Sequence, residues 1–280
     1  MPDTAVPAPS AFVPYLARWR LMPDGAAFST PTARLLPVRQ QGRAAILKLS
    51  ETEDQHRGAA LMEWWDGDGA AKVLAREGDA LLLERAEGGR SLGDMARGGD
   101  DDAASRILCK TAAQLHTVRP QALPALVPLE RWFRELEPAA VRYGGILVRS
   151  AETARFLLAD PRDCGALHGD LHHDNVLDFG PCGWLAIDPH GLIGERAFDY
   201  ANIFTNPDLS DPTHPVATVP GRFQQRLAVV TEMSGLDRRR LLQWILAWTG
   251  LSAAWFLDDG DPLARIDLTI AELAAAELDR

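Results

Sequence analysis

The stretch that decides the fold is residues 167–191, LHGDLHHDNVLDFGPCGWLAIDPHG. Within it, two apolar runs, NVLDF and WLAID, are divided by GPCG, a pattern typical of two short strands joined by a turn. Asp170 precedes the first run, Asn175 begins it, and Asp188 ends the second run. An antiparallel hairpin brings the end of its second strand back beside the start of its first. The sequence therefore predicts that Asn175 and Asp188 lie side by side.

The spacing of Asp170 and Asn175 is that of a phosphoryl-transfer loop. They form the pattern D-x-x-x-x-N of the kinase catalytic loop H-R-D-x-x-x-x-N, with His168-Gly169-Asp170 in place of His-Arg-Asp. In that role Asp170 accepts the proton of the acceptor hydroxyl or orients it, and Asn175 offers an amide oxygen to magnesium. We therefore expect Asp170 to be the catalytic residue and Asn175 to be a metal ligand.

Two aspartates compete for the second metal position. Asp178, Phe179 and Gly180 spell the DFG motif whose aspartate holds magnesium in protein kinases. Side chains alternate along a strand, however, so Asp178 points away from the face that carries Asn175. Asp188, at the end of the return strand, has no such obstacle. We therefore predict that Asp188 is the metal ligand and that Asp178 only opens the turn.

A lysine in an apolar strand supplies a cation for the phosphates. Lys48 lies in AILKLS, and kinases place such a lysine in their third strand, as in V-A-I-K. The alternative is a lysine that protects an edge strand from aggregation. A carboxylate partner for Lys48 is expected from the helix at 52–65, where Glu53, Asp54 and Glu63 are available. The sequence does not choose among them, and we favour Glu53.

The glycine-rich lid G-x-G-x-x-G of protein kinases is missing from the sequence. Its place before the first hairpin is taken by AAFSTPTARLL, residues 26–36. Ser29 and Thr30 are the groups in this segment that could offer hydroxyls and backbone N–H groups to phosphates.

The order of predicted elements indicates an α+β protein with a two-lobed, protein-kinase-like fold. The first part reads as a small antiparallel sheet with one helix, and the part after the Gly/Asp-rich stretch GGRSLGDMARGGDDD is mainly helical. We therefore predict a nucleotide-binding lobe at 1–86 and a helical lobe with the catalytic loop, hairpin and substrate site at 87–280. The strands are expected at 34–40, 44–50, 72–77 and 80–86, and the helices at 52–65, 103–118, 150–160, 222–234, 236–257 and 263–279.

Composition restricts the class of protein further. The chain has 280 residues, a formal net charge of -10 and a sequence pI of about 5.2, which argues against a nucleic-acid surface and suits a cationic small substrate. Its three cysteines form no disulfide framework, and the N-terminus has no signal-peptide pattern, so we expect a cytoplasmic protein. Residues 241–257 are apolar but short and interrupted, which predicts a buried core helix and no membrane span. Residues 1–10, MPDTAVPAPS, are expected to form a loose tail.

Longer matches give the chain a family resemblance. The stretches LHGDLHHDNVLDFG and GWLAIDPHGLIGERAFDYANIF resemble the aminoglycoside phosphotransferases, kinase-like enzymes, and within them the streptomycin 6-phosphotransferase and hydroxyurea kinase group. The resemblance covers nearly the whole chain, from RLLPVRQ and ILKL through WWDGDGAA, LLLERA, DDAASRILC and LVPLERWF to WTGLSAAWF.

The resemblance assigns roles to single residues. It implies that Asp170 is catalytic, that Asn175 and Asp188 hold Mg²⁺, and that Lys48 holds the phosphates of ATP. It further implies that the backbone of Glu84 and Ala86 meets adenine, and that Asp199 in AFDYAN braces the catalytic loop. His168, His172 and His173 are then scaffold or substrate-side groups.

The implied reaction is ATP- and Mg²⁺-dependent phosphorylation of streptomycin at its 6-hydroxyl, which confers antibiotic resistance. Because carboxylates bind guanidinium groups by paired hydrogen bonds, Glu195, Asp258 and Asp259 are candidates for binding this cationic acceptor. We expect no nucleic-acid or membrane partner, and a monomer or weak dimer.

Three alternatives stay open at this point. The acceptor could be another small hydroxylated molecule, such as hydroxyurea. A metal-dependent phosphoesterase would explain the density of possible ligands at His168, Asp170, His172, His173 and Asp174, but not Lys48 or the hairpin. A nucleotide-binding regulator without catalysis is the third alternative, but it leaves the complete set of Asp170, Asn175 and Asp188 without a role.

Overall fold

A computed structural model of the protein describes residues 10–280. The predicted tail at 1–10 lies outside the described residues except for Ser10, which begins a short 3₁₀ helix, Ser10–Phe12. We call the N-terminal sheet with its two helices the small lobe, and the mainly helical remainder the large lobe. The exact boundary at 86/87 stays a prediction.

The small lobe is built on one antiparallel sheet. Its six strands are β1 Leu21–Pro23, β2 Phe28–Ser29, β3 Arg34–Gln40, β4 Arg43–Leu49, β5 Val73–Glu77 and β6 Ala80–Glu84, and the helices of this lobe are α1 Val13–Arg18 and α2 Glu53–Trp65. Five of the strands follow one another in the order β1-β3-β4-β6-β5, and the short strand β2 also pairs with β3. The four predicted strands and the predicted helix are confirmed. The short elements α1, β1 and β2 lacked a clear pattern and were missed.

The two faces of this sheet have different neighbours, and this difference places Lys48. Leu36, Val38 and Leu47 pack in a cluster with Phe12, next to α1. Side chains alternate along β4, so Lys48 lies on the opposite face, where its cross-strand partner is Leu81. Leu81 belongs to the core shared with α2 and the large lobe. Lys48 therefore faces the interior between the lobes and is only 8% exposed, which excludes the role of an edge-strand guard.

The large lobe is mainly helical, as predicted. Its helices are α3 Leu92–Met95, α4 Asp101–Leu115, α5 Leu129–Trp132, α6 Leu136–Tyr143, α7 Ile146–Ala159, α8 Ala197–Ala201, α9 Arg222–Ser234, α10 Arg238–Asp258 and α11 Ala264–Leu278. Its strands are β7 Val127–Pro128, β8 Cys164–Leu167, β9 Val176–Asp178, β10 Trp184–Ala186 and β11 Leu192–Glu195. The predicted hairpin is β9–β10, whereas the small sheet β7-β11-β8 was not predicted because each of its strands has at most four residues.

Helix α10 is the central helix of the large lobe. Residues 240–254 include fourteen buried positions, and the rings of Trp244 and Trp248 both meet Phe198 of α8 edge to face. The helix packs on α7 and α11, so its apolar surface is covered by protein, as the sequence predicts. Within residues 10–280, no helix combines the length and the apolar character that crossing a membrane requires.

A buried carboxylate lies between α10 and α11. Asp267 is fully buried and accepts a hydrogen bond from the Ser252 hydroxyl at 2.6 Å, while its Oδ1 has no partner in the described part of the chain. Burial disfavours its charged form and raises the pKa of Asp267 to about 8, although the hydrogen bond from Ser252 acts in the opposite direction. The folded protein therefore keeps a proton that the unfolded chain releases above about pH 4.

This proton predicts a pH-dependent gain in stability for Asp267→Asn. Between about pH 4 and pH 8, ionisation favours the unfolded chain, so the contribution of Asp267 to the free energy of unfolding falls as pH rises. Asparagine cannot ionise, and we expect the melting temperature of the variant to exceed that of the parent by more at pH 8 than at pH 5. Thermal melts at several pH values measure this, with exposed Asp259→Asn as control. A constant difference across this range would contradict the prediction.

Candidate active site

The β9–β10 hairpin brings the predicted metal ligands together. Its register pairs Val176 with Ala186 and Asp178 with Trp184. Beyond this ladder, the Ile187 N–H donates to the Asn175 carbonyl at 2.9 Å. The residue after Ile187 is Asp188, so the return strand delivers it beside Asn175, as the strand argument requires.

Asp188 is held by the small-lobe lysine. The Lys48 ammonium Nζ lies 2.7 Å from Asp188 Oδ1 and joins the two lobes. Asp188 has a backbone φ of 59°, in the left-handed region that residues other than glycine rarely adopt. This conformation turns the carboxylate out of the strand direction, while Oδ2 keeps no hydrogen-bond partner within residues 10–280.

Asn175 is oriented by Asp170, the predicted catalytic residue. Its Nδ2 donates to the backbone carbonyl and to Oδ2 of Asp170, both at 2.9 Å. Since the amide nitrogen is fully used, Asn175 Oδ1 is left to act as an acceptor. Carboxylate and amide oxygens are the ligands that Mg²⁺ prefers. Asn175 Oδ1 and Asp188 Oδ2 therefore fit the predicted magnesium site.

Asp170 is arranged to stay ionised. Burial raises the pKa of Asp170, but the charge and hydrogen bond of His172, whose Nε2 lies 3.4 Å from Asp170 Oδ2, outweigh it and hold the pKa below the ordinary value. His172 in turn has a raised pKa, because its attraction to Asp170 exceeds the effect of burial. An ionised carboxylate with a low pKa is suited to orienting an acceptor hydroxyl and receiving its proton late in the reaction.

The catalytic loop is braced from below by Asp199. This carboxylate is fully buried and accepts the backbone N–H of His168 at 2.9 Å and that of Gly169 at 2.8 Å. His116 Nε2 lies 2.8 Å from its Oδ2. Gly169 has a φ of 87°, and a Cβ there would lie 2.8 Å from the side chain of Leu192, so the turn requires glycine. The bracing role that the family resemblance implied for Asp199 is confirmed.

Of the three histidines in the loop, His168 and His173 are buried structural residues, and His172 lies beside Asp170. His168 Nε2 bonds the Ile187 carbonyl at 2.9 Å, and its Nδ1 accepts the Asp170 N–H at 3.2 Å. His173 is buried away from the surface, whereas His172 borders Asp170. In the part of the chain that the structure describes, no three His, Cys, Asp or Glu side chains are grouped to hold a metal ion.

Asp178, the aspartate of the Asp-Phe-Gly sequence, holds residues 88–90 in the chain segment that connects the two lobes. It is 5% exposed and accepts Arg90 Nε at 2.8 Å and Nη2 at 3.2 Å, while its backbone carbonyl accepts the Gly88 N–H at 2.9 Å. The Arg90 guanidinium also stacks 5.0 Å from the Trp184 ring. Asp178 is thus a structural anchor as well as the start of the turn, since it accepts the Gly180 N–H at 3.0 Å.

The predicted pairing of Lys48 with a carboxylate of α2 is wrong. Glu53, the residue we favoured, is 94% exposed in the first turn of the helix, with only Arg57 nearby at 3.7 Å. Asp54 bonds Arg57 and His190, and Glu63 bonds Arg76. Lys48 bonds Asp188 instead, because the register of β4 directs it at residues 187–191 and not at the helix. We call residues 187–191 the metal segment, because they include the predicted metal ligand Asp188.

One of the three acids predicted to bind substrate is placed elsewhere. Glu195 is 3% exposed, and its two oxygens accept Arg240 Nε and Nη2 at 2.9 and 2.6 Å, so the prediction for it is wrong. A charged residue in the short strand β11, the central strand of its sheet, could not be told from a ligand by sequence. Asp258 is held by Arg142 and Tyr143 at 2.6 and 2.8 Å. The roles of Asp258 and of exposed Asp259 stay predictions.

The segment predicted to meet adenine follows β6. The Glu84 side chain points to Arg43 at 2.5 Å and its N–H bonds the Lys72 carbonyl, whereas Ala86 makes no hydrogen bond with any described residue. The peptide of Ala86 is therefore free to pair with a purine edge. Both the N–H and the hydroxyl of Thr30 donate to the Ala33 carbonyl, which leaves exposed Ser29 as the other hydroxyl of the segment 26–36 that stands in place of the lid.

An open cleft adjoins the metal segment and was not predicted. It has a volume of about 410 Å³ and lies between the start of α2 and the helices α5 and α10. The rings of Trp132 and Trp255 meet edge to face at 5.5 Å on its wall, and Trp132 lies 5.0 Å from the ring of His190. The histidine two residues after Asp188 was the available signal, but no sequence pattern linked it to the tryptophans.

Together, the sheet-bearing lobe, the braced D-x-x-x-x-N loop and the lysine-paired aspartate define a kinase-like phosphotransferase. Residues 18–260 match the family described as aminoglycoside/hydroxyurea antibiotic resistance kinase. The chain belongs to this family, and ATP and a divalent cation are its cofactors.

Curated relatives are similar over nearly the full length. The chain is 53% identical to streptomycin 3''-kinase of Klebsiella pneumoniae, across 94% of this chain and 100% of the relative. It is 32% identical to streptomycin 6-kinase of Streptomyces griseus, across 92% and 86%, and 32% identical to hydroxyurea phosphotransferase of Kitasatospora aureofaciens, across 96% and 78%.

Solved structures share the fold at low sequence identity. A choline/ethanolamine kinase family protein from Mesorhizobium loti superposes with a TM-score of 0.64 at 14% identity, covering 96% of this chain and 92% of the other. Aminoglycoside phosphotransferase APH(4)-Ia gives a TM-score of 0.59 at 14% identity, covering 97% of both chains. The predicted two-lobed, protein-kinase-like fold is confirmed.

The two competing aspartates can be separated by substitution. Asp188→Ala removes the predicted metal ligand and the partner of Lys48, and we expect kcat to fall roughly 100-fold or more. Asp178→Ala removes the anchor of Arg90, so we expect a lower melting temperature with kcat nearly retained. Steady-state kinetics and thermal melts of both variants measure this. The reverse ranking of the two kcat values would refute the assignment.

Proposed function

We propose that the protein transfers the γ-phosphoryl group of ATP to a hydroxyl of streptomycin and thereby confers resistance to it. The observation that carries this proposal is the convergence of Lys48, Asp170, Asn175 and Asp188 in a chain 53% identical to a streptomycin kinase. Family membership alone supports phosphorylation of an aminoglycoside or of hydroxyurea. The identity of the acceptor rests on the relatives.

The hydroxyl that is modified is a finer point of the same proposal. Sequence motifs favoured the 6-hydroxyl, and two relatives that are each 32% identical carry the name streptomycin 6-kinase. The relative that is 53% identical and fully covered carries the name streptomycin 3''-kinase. We place more weight on the relative with the higher identity and full coverage, and we propose the 3''-hydroxyl.

The residues of the site divide the reaction among them. Asp170, ionised through His172, orients the acceptor hydroxyl and takes its proton. Asn175 and Asp188 would hold the divalent cation, which supplies charge stabilisation to the phosphates when bound. Lys48 is within reach of the same phosphates, because it is already placed at Asp188. The peptide of Ala86 would pair with adenine at the far end of the nucleotide.

The cleft beside the metal segment is the proposed acceptor site. Its walls offer flat indole surfaces at Trp132 and Trp255, and the Trp132 ring also packs against His190. Glu135 lies on the same wall, with Oε2 accepting the Trp255 Nε1–H at 2.7 Å. Aromatic faces and fixed carboxylates are the groups that bind planar cations such as guanidinium. We propose this wall in place of Glu195.

Product analysis tests the proposed reaction. Purified protein with ATP, Mg²⁺ and streptomycin should yield ADP and a monophosphorylated drug, and phosphorus–proton NMR correlation identifies the carbon that carries the phosphate. Parallel incubations with hydroxyurea and with other aminoglycosides serve as comparisons. Phosphate on the 6-carbon would overturn the 3'' assignment alone. Turnover of hydroxyurea without turnover of streptomycin would overturn the acceptor proposal and keep the kinase.

The acceptor cleft predicts a selective effect for Glu135→Gln. Glutamine keeps an oxygen for the Trp255 N–H but loses the charge that attracts a cation, so we expect KM for streptomycin to rise roughly tenfold with KM for ATP unchanged. Glu137→Gln is the matched control, since Glu137 is exposed and paired with Arg155 at 2.7 Å outside the cleft. Equal KM values for streptomycin in the two variants would remove Glu135 from the acceptor site.

A further inference from the structure

We propose that Asp54 and His190 form an interlobe latch that positions the metal-binding aspartate, Asp188. The latch joins the first turn of α2 in the small lobe to the segment 187–191 of the large lobe. The sequence analysis named Asp54 only as one of three possible partners of Lys48, and it did not name His190. The proposal depends on the kinase activity of the family and not on which acceptor is used.

Asp54 bonds His190 directly, and both of its carboxylate oxygens have a partner. His190 Nδ1 lies 2.7 Å from Asp54 Oδ2, and Arg57 Nη2 lies 2.7 Å from Asp54 Oδ1. Arg57 thus holds the carboxylate in place from the next turn of the same helix. Because both oxygens of Asp54 are used, its rotamer is fixed, and it fixes the orientation of the imidazole.

The backbones on either side of the latch approach too closely to slide. A Cβ at Gly58 would lie 2.1 Å from the Pro189 carbonyl oxygen, so this turn of α2 rests on the backbone of the metal segment. Gly191 has a φ of 70°, and a Cβ there would lie 3.1 Å from the Arg57 backbone. The segment after Asp188 is therefore seated against α2 over three residues, with the Asp54–His190 bond as its polar contact.

Asp188 needs such support on both sides because of its own backbone. Its φ of 59° is unfavourable for a residue with a side chain, so neighbouring contacts must maintain it. On one side, Ile187 is fixed by Asn175 and by His168. On the other side, the His190 N–H donates to the His168 carbonyl at 2.8 Å, and the imidazole ring of His190 is held by Asp54. Removing the latch leaves the second side with its backbone bond and with the packing of the His190 ring against Trp132.

The latch takes over a task that protein kinases give to another ion pair. There, a glutamate of the small-lobe helix pairs with the strand lysine and sets the position of that helix. Here, the Lys48 ammonium bonds Asp188, and the acids of α2 bond Arg57, His190 and Arg76. Helix α2 is thus coupled to the metal ligand through His190 and not through Lys48.

The test compares Asp54→Asn with Glu63→Gln, a matched loss of one acid on the outer face of the same helix. Calorimetric titration of Mg²⁺ into protein with ATP, without acceptor, gives the metal affinity. We expect a roughly tenfold weaker Mg²⁺ affinity and a roughly tenfold lower kcat for Asp54→Asn, with KM for ATP within about twofold of the parent. Glu63→Gln, which loses only the pair with Arg76, should match the parent in all three.

Two further variants separate positioning from folding. Asp54→Glu keeps the charge and should restore most of the Mg²⁺ affinity. The double variant Asp54→Asn/His190→Asn should lose no more Mg²⁺ affinity than either single change, because both remove the same contact. A lower melting temperature with unchanged Mg²⁺ affinity, or additive losses in the double variant, would overturn the proposal. Since the titration contains no acceptor, its outcome is independent of whether streptomycin is the substrate.

Discussion

The buried carboxylate of Asp199 is the constraint on which the active site depends. It is fully buried and accepts the N–H groups of His168 and Gly169, so the loop that carries Asp170 is fixed by a charge inside the protein. Burial raises the pKa of Asp199, yet the hydrogen bond and charge of His116 outweigh this and keep it ionised. A charge buried without these donors would be strongly unfavourable. The N–H groups of the loop therefore stabilise the ionised form of Asp199, and the ionised Asp199 in turn holds the loop in place.

From this fixed loop, the site is assembled by backbone pairing. Asn175 enters β9, the turn reverses the chain, and β10 returns it to Asp188 with Ile187 bonded to Asn175. Lys48 then reaches the same point from the small lobe because of its position in β4. Residues that are 140 positions apart in the chain meet because two strand registers agree.

The sequence predicted most of this, and its failures share a physical cause. Strand alternation and hairpin geometry are local properties, so they correctly separated Asp188 from Asp178 and located Lys48. The partner of Lys48 and the role of Glu195 depend on how distant elements meet, which no local pattern encodes. Glu195 is occupied by Arg240 from a helix forty-five residues later, and Asp54 by His190 across the interlobe cleft. The cleft lined by Trp132 and Trp255 likewise forms only when α5 and α10 pack together.

The fastening of Asp178 has a mechanical consequence for the connection between the lobes. Strand β6 ends at Glu84, and Gly88 and Arg90 are already tied to the hairpin through Asp178. The Arg85 N–H still bonds the Ala44 carbonyl of the sheet, so only residues 86 and 87 lie between the last backbone bond to the sheet and the first backbone bond to the hairpin. The connection is therefore short and is fastened at both ends. The backbones of Gly69 and Ala71 also bond Ala186 of β10, so the same hairpin holds the small lobe at two separate places in the chain.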